Sequence, residues 1–173
     1  MDGFSCKYRF FLKTIIQTEN AIQKQANVEL ALRFFAFRKI PYQRGLDVHE
    51  YLNKAVRELA KNELFSMERE GDIFNRTFSL ISNALGTDAF KKWDGNRFLG
   101  KFLISVFEVL ATGISKNIDA IEQLPPTEQN EFIINKAKTL WDNTVFLQYT
   151  GAGVSGSARL ANLIPLAETF LRP

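Results

Sequence analysis

Only one cysteine, Cys6, and one histidine, His49, occur in the 173 residues. A lone cysteine closes no internal disulfide, which removes the usual reason to infer an oxidising compartment and fits a cytoplasmic chain. With one residue of each kind, the chain by itself supplies neither a Cys/His zinc set nor a Cys–His nucleophilic pair. Long apolar runs are missing as well. The longest, 98–114, is interrupted by Lys101 and Glu108 and falls short of a membrane-spanning helix. Residues 1–11 show no sustained apolar segment followed by small residues, so no signal peptide is expected. Neither sign of charge dominates: 22 Lys and Arg against 19 Asp and Glu leave a net charge of +3, which permits nucleic-acid contact without requiring it.

What the sequence does have is 46% hydrophobic residues, 16 of the side chains being phenylalanine, with only 5 prolines and 10 glycines. This is a globular composition, and the length suits one phenylalanine-rich core, so one domain is expected over 1–173. Apolar residues at Phe11, Leu12, Ile15, Ile16 and Ile22 predict a first helix over 8–25, within an N-terminal segment of 1–26. Asn27 is a candidate cap for a helix over 28–37, where only Glu29 and Arg33 interrupt an apolar run and the two share a face four residues apart. Ile40-Pro41 ends it, because a residue before proline avoids the helical region. Asp47 with Glu50 three positions on has capping-box spacing, and Val48, Tyr51, Leu52, Ala55, Val56 and Leu59 form one apolar stripe of the next helix.

Gly71-Asp72 is read as the start of a further amphipathic helix, with Gly86 just past its end. The most apolar helix is predicted over about 98–117, its polar positions 101, 105, 108 and 112 forming one narrow stripe, and it is expected at the centre of the fold. Pro125-Pro126 breaks the chain, Thr127 is a candidate cap for a helix over 127–148, and a Gly/Ser-rich loop precedes a last helix over about 158–171 that Pro165 kinks or delays. No useful strand alternation or internal repeat is present, so the expected class is all-α, a bundle of about seven helices.

Gly151-Ala152-Gly153-Val154-Ser155-Gly156 matches the dinucleotide glycine fingerprint letter for letter, yet that motif needs a preceding strand and here a helix is predicted. No cofactor is therefore expected. Ser155, Ser157 and Arg159 precede or open a helix, where free backbone N–H groups suit phosphate. His49 beside Glu50 is a candidate general base, though a solvated histidine at a helix start is commoner. The basic and aromatic connectors bearing Arg38, Lys39, Tyr42 and Arg44, and Lys91, Lys92, Trp93 and Arg97, are candidates for weak, salt-sensitive nucleic-acid contact. Arg33 and Glu108, charges within the two most apolar helices, are expected to meet across a helix–helix contact, because an unpaired buried charge costs several kcal/mol.

The order of Leu32-Arg33-Phe34-Phe35-Ala36-Phe37, a connector with Tyr42 and Gly45, an amphipathic helix, Val106-Phe107-Glu108-Val109-Leu110 and a closing segment at 155–160 with Arg159 carries a resemblance. Over about 28–170 the chain resembles the helical C-terminal portion of the N-terminal domain of GmrSD-type modification-dependent restriction endonucleases, a family with a ParB/sulfiredoxin-like core; the family-like region is taken as 27–171. The family's Asp-Gly-Gln-Gln-Arg motif does not occur in the sequence, Tyr42-Gln43-Arg44-Gly45 being no substitute, and the histidine-based nuclease motif is also missing. The resemblance thus implies a non-catalytic helical accessory module of a prokaryotic anti-phage defence system, with a nucleotidase-core or nuclease protein as partner. Two other classes stay open: an autonomous, weak nucleic-acid-binding domain, and an enzyme with an unrecognised carboxylate or phosphate site.

Overall fold

A computed structural model describes residues 8–15 and 26–173. The order is α1 (Arg9–Thr14), α2 (Ala26–Lys39), α3 (Val48–Lys61), α4 (Met67–Leu85), a 3-10 turn (Gly86–Asp88), strands β1 (Lys92–Trp93) and β2 (Phe98–Leu99), α5 (Ile104–Lys116), α6 (Ile118–Glu122), α7 (Pro126–Thr139), a second 3-10 turn (Leu140–Asp142), α8 (Thr144–Thr150) and α9 (Gly156–Phe170). The two-residue strands, antiparallel with Lys92 opposite Leu99 and Trp93 opposite Phe98, are the only sheet among the described residues, and the fold is all-α. Residues 16–25 of the expected first helix lie outside the described residues.

Several boundaries differ from the sequence expectation, each for a local reason. α2 already runs at Ala26, so Asn27 sits within it rather than capping it. α4 starts at Met67, four residues before Gly71, because Ser66 accepts a hydrogen bond from the Arg69 N–H, and Glu68 and Glu70 place negative charge in the first turn. The apolar stripe begins only at Ile73, which is why periodicity finds this helix late. The central helix is α5, beginning at Ile104 and not at Phe98, since 98–103 complete a hairpin and turn. Gly95 and Gly100, at φ +99° and +86°, turn this segment, and Asp94 accepts the N–H groups of Asn96 and Arg97.

The expected helix over 127–148 divides in the same way. Pro126 takes the first helical position, where its missing N–H costs nothing, so Pro125 and not Thr127 is the capping residue. At the other end Asn143 leaves the helical region and caps α8 by accepting from the Phe146 N–H. α9 begins at Gly156 behind a Ser155 cap and runs through Pro165 to Phe170 without waiting for it. Nine α-helices are therefore present among the described residues where about seven were expected, the additions being short pieces. The Asp47–Glu50 capping box forms in full, Glu50 N–H donating to Asp47 at 2.9 Å and Asp47 N–H to Glu50 at 3.1 Å.

α5 is buried along its whole length and packs against α9, α2, α4 and α6. On its α4 side lies the phenylalanine core. Phe11, Phe34, Phe74 and Phe78 meet with ring centroids 4.6–5.6 Å apart, and Phe78 stacks on Phe107 of α5. Such pairs contribute about 0.5–1.5 kcal/mol each beyond their area burial. A smaller core of Ala36, Phe37, Tyr51, Leu52, Ala55, Leu160 and Ile164 joins α2, α3 and α9. Within it the Tyr51 hydroxyl donates to the carbonyls of Ala36 and Ile40, satisfying the end of α2. Burial raises the Tyr51 hydroxyl's pKa far above its ordinary value, so it stays a donor.

α5 and α9 approach closely at Gly113, where an added Cβ would lie 2.4 Å from the Ala167 carbonyl oxygen and 2.7 Å from Leu171 Cγ. Gly71, by contrast, sits inside α4 with nothing within 4 Å of such a Cβ. Alanine is the better helix former by about 1 kcal/mol, so propensity alone favours both substitutions. The expected outcome is opposite signs: in chemical denaturation Gly71→Ala is stabilising by up to about 1 kcal/mol, and Gly113→Ala is destabilising by about 1–3 kcal/mol through overpacking. A stabilised Gly113→Ala variant would contradict this helix contact.

Candidate functional site

Three of the helices around the centre share one carboxylate. Glu108 faces inward from α5 with 0% exposure, as the apolar run around it dictates. Arg159 of α9 donates through Nε to Glu108 Oε2 at 2.8 Å and through a terminal nitrogen to Oε1 at 3.2 Å. Arg33 of α2 reaches the same Oε1 at 3.2 Å while holding Glu29, one turn away, at 2.6 Å. Two guanidiniums and two carboxylates thus balance. Burial pushes the Glu108 carboxyl above its ordinary value, and Arg159 and then Arg33 oppose that shift. Both oxygens are held by guanidinium donors, so the cluster is a helix-joining device.

A second buried carboxylate, Glu70 of α4, accepts from Arg38 Nε at 2.8 Å and pairs with Lys39 Nζ at 2.6 Å. Arg38 also donates to the Ser115 carbonyl at 2.6 Å, in the last turn of α5, where a cation complements the helix dipole. Burial pushes the Glu70 carboxyl up, but hydrogen bonds from Lys39 and Arg38 more than offset this and hold it below the ordinary carboxylate value.

These cations border an open cleft of about 430 Å³ between the end of α2, the loop at 40–44, the end of α5 and α9. Phe37, Leu160 and Ile164 belong to its apolar lining, and Arg38, Lys39, Arg44 and Lys116 supply positive charge. Lys116 pairs with Glu168 at 3.0 Å. Arg44 has no carboxylate partner among the described residues. Counting Glu70 behind Arg38 and Lys39, the cleft has two more cations than carboxylates.

The candidate contact residues fall into three places. Arg38, Lys39 and Arg44 come together on the cleft. Lys91, paired with Asp88 at 2.8 Å, lies just before the hairpin, and Lys92 and Arg97 lie on it. Ser155 caps α9 and lies 3.2 Å from Ser157, while Arg159 turns inward to Glu108. The glycine fingerprint follows helix α8, not a strand, and Gly156 has a packing explanation: a Cβ there would meet Val48 Cγ2 at 2.5 Å. His49 is exposed on the first turn of α3. Among the described residues no group of three or more His, Cys, Asp or Glu is placed to hold a metal ion, and no helix is long and apolar enough to cross a membrane. Glu70 and Lys116 were missed as site residues in the sequence: Glu70 precedes the visible apolar stripe of α4, and Lys116 stands in the last turn of α5, where a lysine is an ordinary helix ending. No family model, curated protein or solved structure matches the chain.

Two outcomes follow from the ion clusters. Replacing Glu108 alone with Leu leaves two guanidiniums without their buried acceptor and is expected to cost about 3–5 kcal/mol; changing Arg33 and Arg159 to Met as well should recover much of it. Additive losses in denaturation across this series would show that the three residues do not act together. For Glu70 the folded-state pKa is depressed, so its contribution is complete above the unfolded value of about 4.3 and is lost as pH falls through the folded value. Between about pH 5 and pH 3 the wild type should therefore lose more stability than Glu70→Gln. Parallel curves for the two proteins would remove the assignment.

Proposed function

We propose that the chain is a non-catalytic helical interaction module of a prokaryotic restriction-type defence protein, and that its basic cleft receives an acidic segment of the partner that carries the chemistry. The resemblance of its helical motifs to GmrSD-type restriction endonucleases supplies the class of partner, a nucleotidase core or a nuclease. The observation that carries the reading is Arg44, a cation without a carboxylate partner among the described residues, on an open cleft with an apolar lining and a surplus of positive charge. Such a combination suits a protein segment, whose apolar side chains fill the lining while its carboxylates meet the flanking cations and set the orientation of docking. The two deeply buried carboxylates, Glu108 and Glu70, are engaged by arginine and lysine in holding helices, which supports a structural rather than catalytic use for them.

The direct test is titration calorimetry of the chain against a separately purified GmrSD-type nucleotidase core. Arg44→Glu should weaken the complex about tenfold or more, the scale of a reversed charge at a close interfacial contact. Arg97→Glu, on the hairpin, should leave it unchanged. A complex indifferent to the cleft charges, or no complex with the core or with a nuclease partner, would sink the proposal. The chain alone is expected to hydrolyse neither nucleoside triphosphates nor DNA. Turnover above a matched blank that a point change in this chain abolishes would falsify the non-catalytic part.

A further inference from the structure

Both tryptophans of the chain stand beside the hairpin, each with a lysine from the other side laid over it. Lys138 of α7 places Nζ 4.6 Å from the centroid of Trp93 on β1, and Lys92 of β1 places Nζ 5.8 Å from the ring of Trp141 in the second 3-10 turn. Phe98 on β2 supports Trp93 at 4.9 Å, and Phe146 meets Trp141 edge-on at 5.2 Å, so the indoles are braced from behind. Both remain partly exposed, Trp141 packing against the core with its Nε1 buried; Lys138 is partly exposed as well, and Lys92, Arg97 and Lys101 are exposed. None of these four cations forms an ion pair with a carboxylate among the described residues. Of the nearby acids, Asp88 is held by Lys91, and Asp94 beside Arg97 is occupied by two N–H groups of the turn, leaving Asp142 as the open one.

We propose that this surface, formed by Trp93, Trp141, Lys92 and Lys138, with Arg97 and Lys101 on the turns that flank β2, binds single-stranded nucleic acid. An indole face accepts any base by stacking, and three lysines outside any ion pair, with Arg97 beside Asp94, match a phosphate backbone. The lysines over the rings do not block this. A cation–π contact at an exposed site is weak, and each flexible lysine can exchange the ring for a phosphate as a base takes its place. In a duplex the base faces are already stacked on one another, so the two braced indoles favour an unpaired strand. The surface lies on β1, β2, α7 and the adjoining turn, elements that do not line the cleft between α2 and α9, so this inference stands or falls separately from the partner-docking reading.

Because the chain has only two tryptophans, its intrinsic fluorescence reports from the proposed site itself. Oligothymidylate and oligouridylate of about 20 nucleotides, long enough to cover a site of the size known for single-strand modules, are the probes. Either should quench the emission saturably, and comparison of the two distinguishes DNA from RNA. The logarithm of affinity should fall with the logarithm of salt at a slope of about −3, about 0.7 for each of four phosphates neutralised, and Lys138→Ala or Lys92→Ala should each flatten it by about 0.7. Trp93→Phe and Trp141→Phe leave one reporter each and should retain quenching, while Trp93→Leu should bind about tenfold more weakly. Circular dichroism melting confirms that each variant is folded. Arg44→Glu, on the cleft, should bind the strand as the wild type does. No quenching by either strand, equal or tighter binding of a duplex of the same length, or binding that survives loss of both lysines would overturn the assignment.

Discussion

The carboxylate of Glu108 has no access to water, and the arrangement of α2, α5 and α9 follows from the need to surround it with charge. Removing a charged group from solvent costs several kcal/mol, which only well-placed opposite charges and complete hydrogen bonding can offset. Two guanidiniums from two different helices meet that need, and Glu29 balances the surplus charge of Arg33. The apolar faces of these helices resist sliding or rotation past one another where α5 and α9 pack closely at Gly113. The shared carboxylate tolerates neither, because a shift of one residue turns Glu108 out of reach of both arginines. Helix register is thereby held by electrostatics as well as by close packing, inside a core whose cohesion is aromatic.

The same physics distributes the basic residues. Arg38, Lys39, Lys91, Lys116 and Arg159 each have a carboxylate partner, so a modest net charge conceals two local surpluses, one on the cleft and one about the hairpin. They differ in what accompanies the charge. Aliphatic side chains and Phe37 belong to the cleft lining, whereas the hairpin surface presents two indoles. Aliphatic lining suits a protein segment and partly exposed indoles suit bases, which is why a different class of partner is proposed for each surface.

The helices with strong amphipathic stripes were readable from periodicity, α3 almost to the residue, because a complete capping box and a clean apolar face coincide there. Where the boundary depends on chain geometry rather than on polarity, reading failed. The segment 98–103 is as apolar as α5, and only the left-handed conformation of Gly100 and the pairing with β1 reveal that it is not helix. The meeting of Arg33 and Glu108 could be posed from sequence because each interrupts an apolar helix. The place of Arg159 could not, since it stands in an ordinary polar loop-to-helix context that favours a solvent-facing reading. Lys138 and Trp93 are 45 positions apart and become neighbours only when the hairpin folds onto α7, so no local pattern announces their contact.

Gly156 shows how far the influence of one small residue extends. It lets α9 begin directly against Val48, the first residue of α3, and a single turn later Tyr51 reaches back to hold the Ile40 carbonyl at the end of α2. Ile40 and the residues after it form one rim of the cleft, and α9 itself forms the opposite wall. The hydrogen atom of Gly156 thus leaves room for the Val48 methyl group, and a Cβ in its place would require that side chain to shift at the seam between α3 and α9. A residue that does not line the cleft sits at the contact between one of its walls and the helix whose Tyr51 holds its rim.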